Sequence, residues 1–303
     1  MHRIISVALA ASLAVLATAA VAQQPQMDVA VRTTDLGHRT YMLEGMGGNV
    51  TVAVGDDGII MVDAQFANLH DKLKAAIETV SKQPVKYLVN THLHGDHTGG
   101  DAGFAKLGAV VTAHENVRKR LAAGTVNGLT GQATAAVTGD ALPTKTYKNW
   151  FNLRVKGRTA KVTYFPHAHT DGDSYVYFAD ANVLATGDIV TIGNRYPNID
   201  FANGGHIDGT IKAVDTYIKL VDEKTKIVPG HGSLMNKAQL IEYRAFLVTS
   251  RDRVKKLIAD GKSEADAVAA KPFADLEAKL GANEAASGNW VRVIYNSYKP
   301  KKI

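Results

Sequence analysis

The chain has no cysteine in its 303 residues. That excludes disulfide stabilisation, thiolate nucleophiles and thiolate metal ligands, so the fold must rest on packing and any chemistry on nitrogen and oxygen donors. Beyond the N-terminus there is no stretch near the ~20 apolar residues that a membrane-spanning helix requires. There are no low-complexity tracts and no short-period repeats, which excludes solenoids and arrays. Positive charge is in excess, with a formal net charge of +6 and a pI near 9.2, yet it is spread along the chain. The only local excesses are Arg118-Lys119-Arg120 and the stretch from Lys299 to Lys302. Such a spread reads as a solvated surface and not as a nucleic-acid-binding face.

The single long apolar run lies at the start. His2-Arg3 precedes it, Ile4 to Leu16 forms it, and Ala20-Val21-Ala22 followed by Gln23-Gln24-Pro25-Gln26 ends it. A basic n-region, an apolar core and a small-x-small site predict a secretory signal over residues 1–22. The run is short for an anchor and no stop-transfer pattern follows it. The expectation is an exported protein, periplasmic or secreted, soluble and free of membrane insertion after cleavage. Residues 23–303 then form a single domain with C-terminal helices, and a hydrophobic content of 46% supplies a sizeable core.

From Asp28 to Asp63 the pattern is strand-like, with Asn49 to Val54, a turn at Gly55-Asp56-Asp57-Gly58, and Ile59 to Val62. Asn68 is placed to cap a helix with Leu69, Leu73, Ile77 and Val80 on one face, and Asp208 one with Ile211, Val214, Ile218 and Val221. Val85 to Val89 is a strand, and Glu115 to Ala123 a helix. Gly124 to Ala160 is the least periodic region, expected to be a long loop with one or two strands. Strands return at Val162 to Phe165, Tyr175 to Phe178, Val183 to Ala185 and Ile227-Val228, and a long helix starts near Asn236. Strands then helices, run through twice, suit two packed sheets with helices outside.

Candidate chemistry begins at Thr91-His92-Leu93-His94-Gly95-Asp96-His97, directly after a strand. His92 and His94 are two apart and project to one side of an extended segment. Gly95 is expected to turn the loop sharply, so that Asp96 and His97 aim at a second point nearby. Grouped imidazoles and a carboxylate are costly without a cation to bind them, which argues against a loop of surface histidines. His169, Asp188 and His231 each lie just past a strand, in His167-Ala168-His169-Thr170, Thr186-Gly187-Asp188 and Pro229-Gly230-His231-Gly232. Singly each is a weak signal; together they place donors at one edge of the sheets, where α/β folds put their sites.

This set resembles the metallo-β-lactamase superfamily, over nearly the whole chain from about Asp28 to the helix after His231. The HxHxDH run is specific, and His169, Asp188 and His231 match the later ligand positions in order and context. The resemblance implies an α/β fold, a four-layer αβ/βα sandwich of two mixed sheets flanked by helices. It implies that His92, His94 and His169 hold a first metal, that Asp96, His97 and His231 hold a second, and that Asp188 bridges them. Asp63 matches the family's early aspartate, which supports the site. Nitrogen and carboxylate donors without thiolate suit zinc, two Zn2+ per chain, and also iron or manganese. Metal-bound water loses its proton near neutrality, so the expected reaction is attack by a metal-bridging hydroxide on a carbonyl ester-like bond, with Asp96 as the catalytic carboxylate.

Asp188 separates the relatives. The best-known zinc β-lactamases carry cysteine or serine there, whereas the aspartate form resembles glyoxalase II and lactonases. Glyoxalase II acts on a cytosolic thioester, which an exported chain does not meet. The expected partner is a small-molecule substrate (lactone, ester, thioester or β-lactam), with no nucleic acid. The alternatives are a β-lactamase with an atypical Asp ligand and a mononuclear iron oxidoreductase like the persulfide dioxygenases. A binding protein on a decayed scaffold conflicts with the complete ligand set. Asn194, Arg195 and Tyr196 follow Asp188 and are candidates to lean over the site, with Arg195 receiving a substrate carboxylate. His206 is a candidate pocket residue. His114 is read as structural or supporting, His169 is preferred to His167 as ligand, and Trp150 and Phe151 are read as core.

Overall fold

The computed structural model describes residues 29–193, 195–280 and 283–299; the expected signal segment Met1–Ala22 and Asn194 lie outside them. The first half runs β1 (Arg32–Asp35), β2 (Thr40–Glu44), β3 (Val50–Val54), β4 (Ile59–Val62), α1 (His70–Val80), β5 (Val85–Val89), α2 (Gly95–Thr98), α3 (Asp101–Lys106), β6 (Val110–His114), α4 (Glu115–Ala123), β7 (Thr125–Val126), β8 (Ala133–Thr134) and β9 (Lys145–Tyr147). The second runs β10 (Trp150–Val155), β11 (Arg158–Tyr164), β12 (Ser174–Phe178), β13 (Val183–Ala185), α5 (Ile207–Leu220), β14 (Lys226–Val228), α6 (Lys237–Ala259), α7 (Glu264–Ala269), α8 (Ala274–Leu280) and α9 (Glu284–Ser297).

Apart from the two-stranded pair β7-β8, seven strands form one sheet in the order β1-β2-β3-β4-β5-β6-β9, and five form a second in the order β10-β11-β12-β13-β14. Both are mixed. The first is antiparallel through β4 and parallel from β4 to β9; the second is antiparallel until β13 pairs β14 in parallel. Strand alternation sorts the apolar residues into layers. Ile60, Val62 and Val89 of the first sheet face Val162, Val176, Phe178, Val183 and Val228 of the second. The intervening Ile59, Met61 and Leu88 turn the other way, onto Leu73 and Ile77 of α1 and Phe104 of α3. Leu184 and Ile227 turn outward onto α5, α6 and α9, where Tyr217, Leu247 and Trp290 lie buried. Helices, sheet, sheet, helices: the four-layer sandwich follows from that alternation.

Several expectations need correction. The chain enters α1 through a 3-10 turn at Ala67–Leu69, so Asn68 sits inside the turn, and no side chain caps α1. His206, not Asp208, caps α5, its Nδ1 accepting from the Asp208 N–H at 3.0 Å. The Gly124 to Ala160 region holds four complete strands, three of them only two or three residues long, too short to show a period in sequence. Trp150 is 60% exposed on β10 with the Lys161 ammonium over its ring, while Phe151 packs against the core between the sheets. Asn236 does cap α6, in a reciprocal pair with Gln239.

Phe178 is fully buried between the two sheets. Phe178→Ala is expected to cost about 3–5 kcal/mol of unfolding free energy, read by chemical denaturation. A loss below about 1 kcal/mol would show that this layer is not the packed interior described here.

Candidate metal centre

Most of the donors lie just past a strand. β4 runs into the supporting Asp63, β5 leads into Thr91-His92-Leu93-His94, β11 precedes His169, β13 precedes Asp188, and β14 precedes His231. Backbone bonds join these ends across the two sheets: Ser174 N–H donates to Thr91 C=O at 2.8 Å, and Asn49 N–H to Gly230 C=O at 2.7 Å. Leu93 points into a small apolar cluster, and His92 and His94, on either side of it, turn into the site. Asp96 and His97 follow in the single helical turn α2. Gly95 begins that turn with open space around its α-carbon, so the expected sharp glycine bend is not there. A helical turn redirects Asp96 and His97 without one.

His92, His94, His169 and Asp188 bring one donor atom each to within 4.8 Å of one another, and Asp96, His97 and His231 do the same. The outer nitrogen of each of four histidines is held by an acceptor. Thr91 Oγ1 gives its proton to Asp63 at 2.8 Å and so accepts from His92 Nδ1 at 3.0 Å. His97 Nδ1 meets Asp63 Oδ2 at 2.8 Å, His169 Nδ1 meets the Asn198 carbonyl at 2.6 Å, and His94 Nε2 meets Asp200 Oδ2 at 2.9 Å. Where the ring is neutral, such a contact favours the tautomer that keeps a lone pair on the inner nitrogen. Those nitrogens crowd together, with His94 Nδ1 2.9 Å from His169 Nε2 and His97 Nε2 3.4 Å from His231 Nε2. His92 Nε2 is buried with no hydrogen-bond partner among the described residues. Buried lone pairs left facing one another are costly, and cations resolve that cost; the donor set fits divalent metal.

Asp188 lies between the two groups. Its Oδ1 is 3.1 Å from His97 Nε2 and 3.5 Å from His231 Nε2, while its Oδ2 is 3.7 Å from His169 Nε2 and 4.0 Å from His92 Nε2. Burial works against its ionisation, but His97 and His231 hold its carboxyl well below the usual range. Asp96 Oδ2 stands 3.1 Å from His231 Nε2 and 3.7 Å from His97 Nε2. Burial lowers His169 to about 4, and with the neighbouring imidazoles it depresses His92 strongly. On the other side burial is outweighed: Asp188 and Asp63 raise His97 well above its ordinary value, and Asp188 and Asp96 raise His231 to about 9. Without a cation, then, burial keeps His92 and His169 neutral, whereas Asp200 raises His94 against its burial and so sides it with His97 and His231.

The supporting residues were only partly visible in the sequence. Asp63 takes a left-handed backbone, φ 64°, uncommon away from glycine, and there accepts from the Thr91 N–H at 2.7 Å as well as from Thr91 Oγ1 and His97. Three others were missed. Asp200 holds His94 and accepts from Asn203 Nδ2 at 2.7 Å. Asn49 clamps the His231 loop, donating to the carbonyls of Pro229 at 2.9 Å and Gly232 at 2.8 Å. Gly48 lies against the His97 ring, where a β-carbon would fall 2.1 Å from Cε1. Only the Gly47-Gly48 pair carried a sequence signal, as a breaker between two strands.

Other candidates fall outside the cluster. His167 Nδ1 bonds the Gly204 carbonyl at 3.0 Å, and His206, the cap of α5, packs its ring edge-on against Tyr298. His114 caps α4 and stacks on Tyr164 at 3.7 Å, a structural role. Tyr196 is buried against Phe246, Phe273 and Trp290 in the C-terminal helical layer, not over the site. Arg195 lines a separate cavity of about 600 Å³ with Glu242.

Asp200→Ala, freeing the His94 ring to turn, is expected to weaken metal affinity roughly 10–100-fold in competition with a chromogenic chelator. Metal uptake at pH 7 should expel protons, from His97 and His231 and in part from His94, measured calorimetrically in buffers of different ionisation enthalpy. His231 also sets a pH window. In metal-stripped protein its stabilising contribution is complete below its ordinary value of 6.5 and is lost as pH rises through about 9. Unfolding free energy that stays flat across that interval would contradict the ion pairs described.

The profile of the metallo-beta-lactamase superfamily matches residues 43–231. A 2,4-dinitroanisole O-demethylase subunit alpha from Nocardioides sp. (strain JS1661) is 28% identical over 149 residues, 48% of this chain and 42% of that subunit, so the match spans under half of that relative. The stereoselective inverting sec-alkylsulfatase Pisa1 from Pseudomonas sp. superposes with a TM-score of 0.64 at 17% identity, over 88% of this chain and 50% of that one. A metallo-beta-lactamase from Pontibacter korlensis superposes with a TM-score of 0.59 at 19% identity, over 72% and 98%. These structural likenesses speak for the fold, and the two-sheet architecture, the strand-end donors and the profile agree: the chain belongs to the metallo-beta-lactamase superfamily.

Proposed function

We propose that the protein is an exported hydrolase that holds two divalent metal ions, zinc by preference, and cleaves a carbonyl ester-like bond in a small molecule. The observation that carries it is the division of Asp188, one oxygen turned to His97 and His231 and the other to His169 and His92. A carboxylate so placed is suited to serve two cations at once. Bound there, such ions acidify water and polarise a carbonyl.

The chain's own residues supply the rest. His92 and His169 are kept neutral by burial, ready to bind. Asp96 stays ionised because His231 and His97 outweigh its burial, and it is 24% exposed, so it faces substrate. Water adds to the carbonyl carbon, the bond to the leaving oxygen breaks, and Asp96 passes the water's proton to that oxygen. The complete second group of Asp96, His97 and His231 favours two metals over a single-iron oxidoreductase. Export rests on the N-terminal segment alone.

The test is a panel on zinc-loaded protein: lactones, aryl esters, a thioester and a chromogenic cephalosporin. The sec-alkylsulfatase and the O-demethylase subunit among the relatives add an alkyl sulfate and an aryl methyl ether. Turnover of carbonyl esters, abolished by chelation and restored by zinc, is expected. Asp188→Ala should lose one metal per chain by elemental analysis and at least ~100-fold in kcat/KM. Full activity in that variant, or one iron per chain in active protein, would overturn the proposal.

A further inference from the structure

Beside the cluster, the His94 ring and Gly95 form one wall of a cavity of about 290 Å³. That is at the low end of the roughly 300–1,000 Å³ typical of ligand pockets, so it has room for part of a small molecule. Its other walls include Leu93, Leu121, Val137 and Ala135, the last in the irregular stretch just after β8. Leu93 and Leu121 are buried and pack with Val137 in a small apolar cluster separate from the three main layers. The Val137 N–H donates to the Leu121 carbonyl at 2.9 Å, fixing the segment over α4.

Charge decides what such a cavity takes. Apart from His94, the one ionisable side chain in the walls among the described residues is Arg120. Its guanidinium is already held by both carboxylate oxygens of Asp171, at 2.7 and 2.6 Å, and donates to Asn203 Oδ1 at 2.9 Å. A neutralised, bidentate guanidinium is a poor receptor for a second anion. The rest of the lining is aliphatic or uncharged, with Thr98, Thr125 and Thr134 among it, and the space above Gly95 is open: a β-carbon built there meets nothing within 4 Å.

We propose that this cavity receives a compact, uncharged aliphatic arm of the substrate, which makes the site selective for alkyl esters or alkyl-substituted lactones over substrates bearing a carboxylate beside the scissile bond. The inference rests on the hydrolytic reading above and names the substrate class for it. The arm could belong to the acyl or to the alcohol half of the ester; its recognition chemistry is the same.

Two variants fill the space from opposite walls. Gly95 has an ordinary helical backbone with free room, and Ala135 is exposed, so Gly95→Leu and Ala135→Leu should both fold. The assay compares methyl hexanoate, hexyl acetate and methyl acetate on zinc-loaded full-length enzyme. Wild type should prefer one of the two longer esters, and which one identifies the half that enters. Each variant should lower kcat/KM for that ester relative to methyl acetate by roughly tenfold or more. Hexanamide, a neutral mimic, should bind wild type by ligand-observed NMR and bind both variants weakly. Equal hexanamide binding by all three proteins, or unchanged selectivity in Ala135→Leu with its metal content intact, would overturn the assignment. Hexanamide binding with no ester turnover would leave the cavity standing and refute the hydrolytic reading instead.

Discussion

The structure depends on one arrangement: buried nitrogen and oxygen lone pairs brought face to face at the meeting edge of two sheets. Such a grouping is unfavourable unless cations occupy the space between, or unless some members carry protons that others neutralise. The chain provides for both. Asp63, Asp200, the Asn198 carbonyl and Thr91 grip the outer nitrogens, so the inner ones cannot rotate away to find partners. Asp188 stabilises the protons of His97 and His231, with Asp63 at the first and Asp96 at the second, protons that a bound metal would displace. The rest of the fold holds five strand ends rigid enough for these contacts to persist, and the three apolar layers serve that end.

The donors themselves were legible because the fold writes them in a recognisable place. A short strand followed closely by Asp or His recurs at β4, β5, β13 and β14, and a strand covered on both faces reads as a short continuous apolar run. The sandwich was legible for the same reason, since Ile59 to Val62 and Val183 to Ala185 are buried on both sides. Helix starts were read less well. Asn68 and Asp208 have the right chemistry for caps, but the chain turns into α1 by a 3-10 turn, and His206 reaches the α5 amides first. Local propensity names candidates; the geometry of entry chooses among them.

What sequence could not show is contact between distant segments that share no pattern. Asp200 is 106 residues from His94, and Asn49 is 180 from Pro229. Each is an ordinary loop polar residue until the sheets close. Tyr196 illustrates the converse. Its place near Asp188 in sequence suggested the site, but the turn after β13 carries it into the apolar layer against Trp290, where burying an aromatic ring is the larger gain.

The region that resisted reading also differs from the rest in physical character. The donors come from strand ends, where hydrogen bonding and close packing tolerate little change. The walls of the neighbouring cavity come from α4 and the short-strand segment after it, where β7 pairs only β8 and most of residues 125–140 are exposed. Few backbone groups there are committed to either sheet, so side chains can change with little loss of core packing. On the proposed reading, reaction chemistry and substrate choice would be carried by different kinds of structure. The weak periodicity of Gly124 to Ala160 has the same origin as its place beside the site, because a segment that owes little to the core is free to shape a pocket.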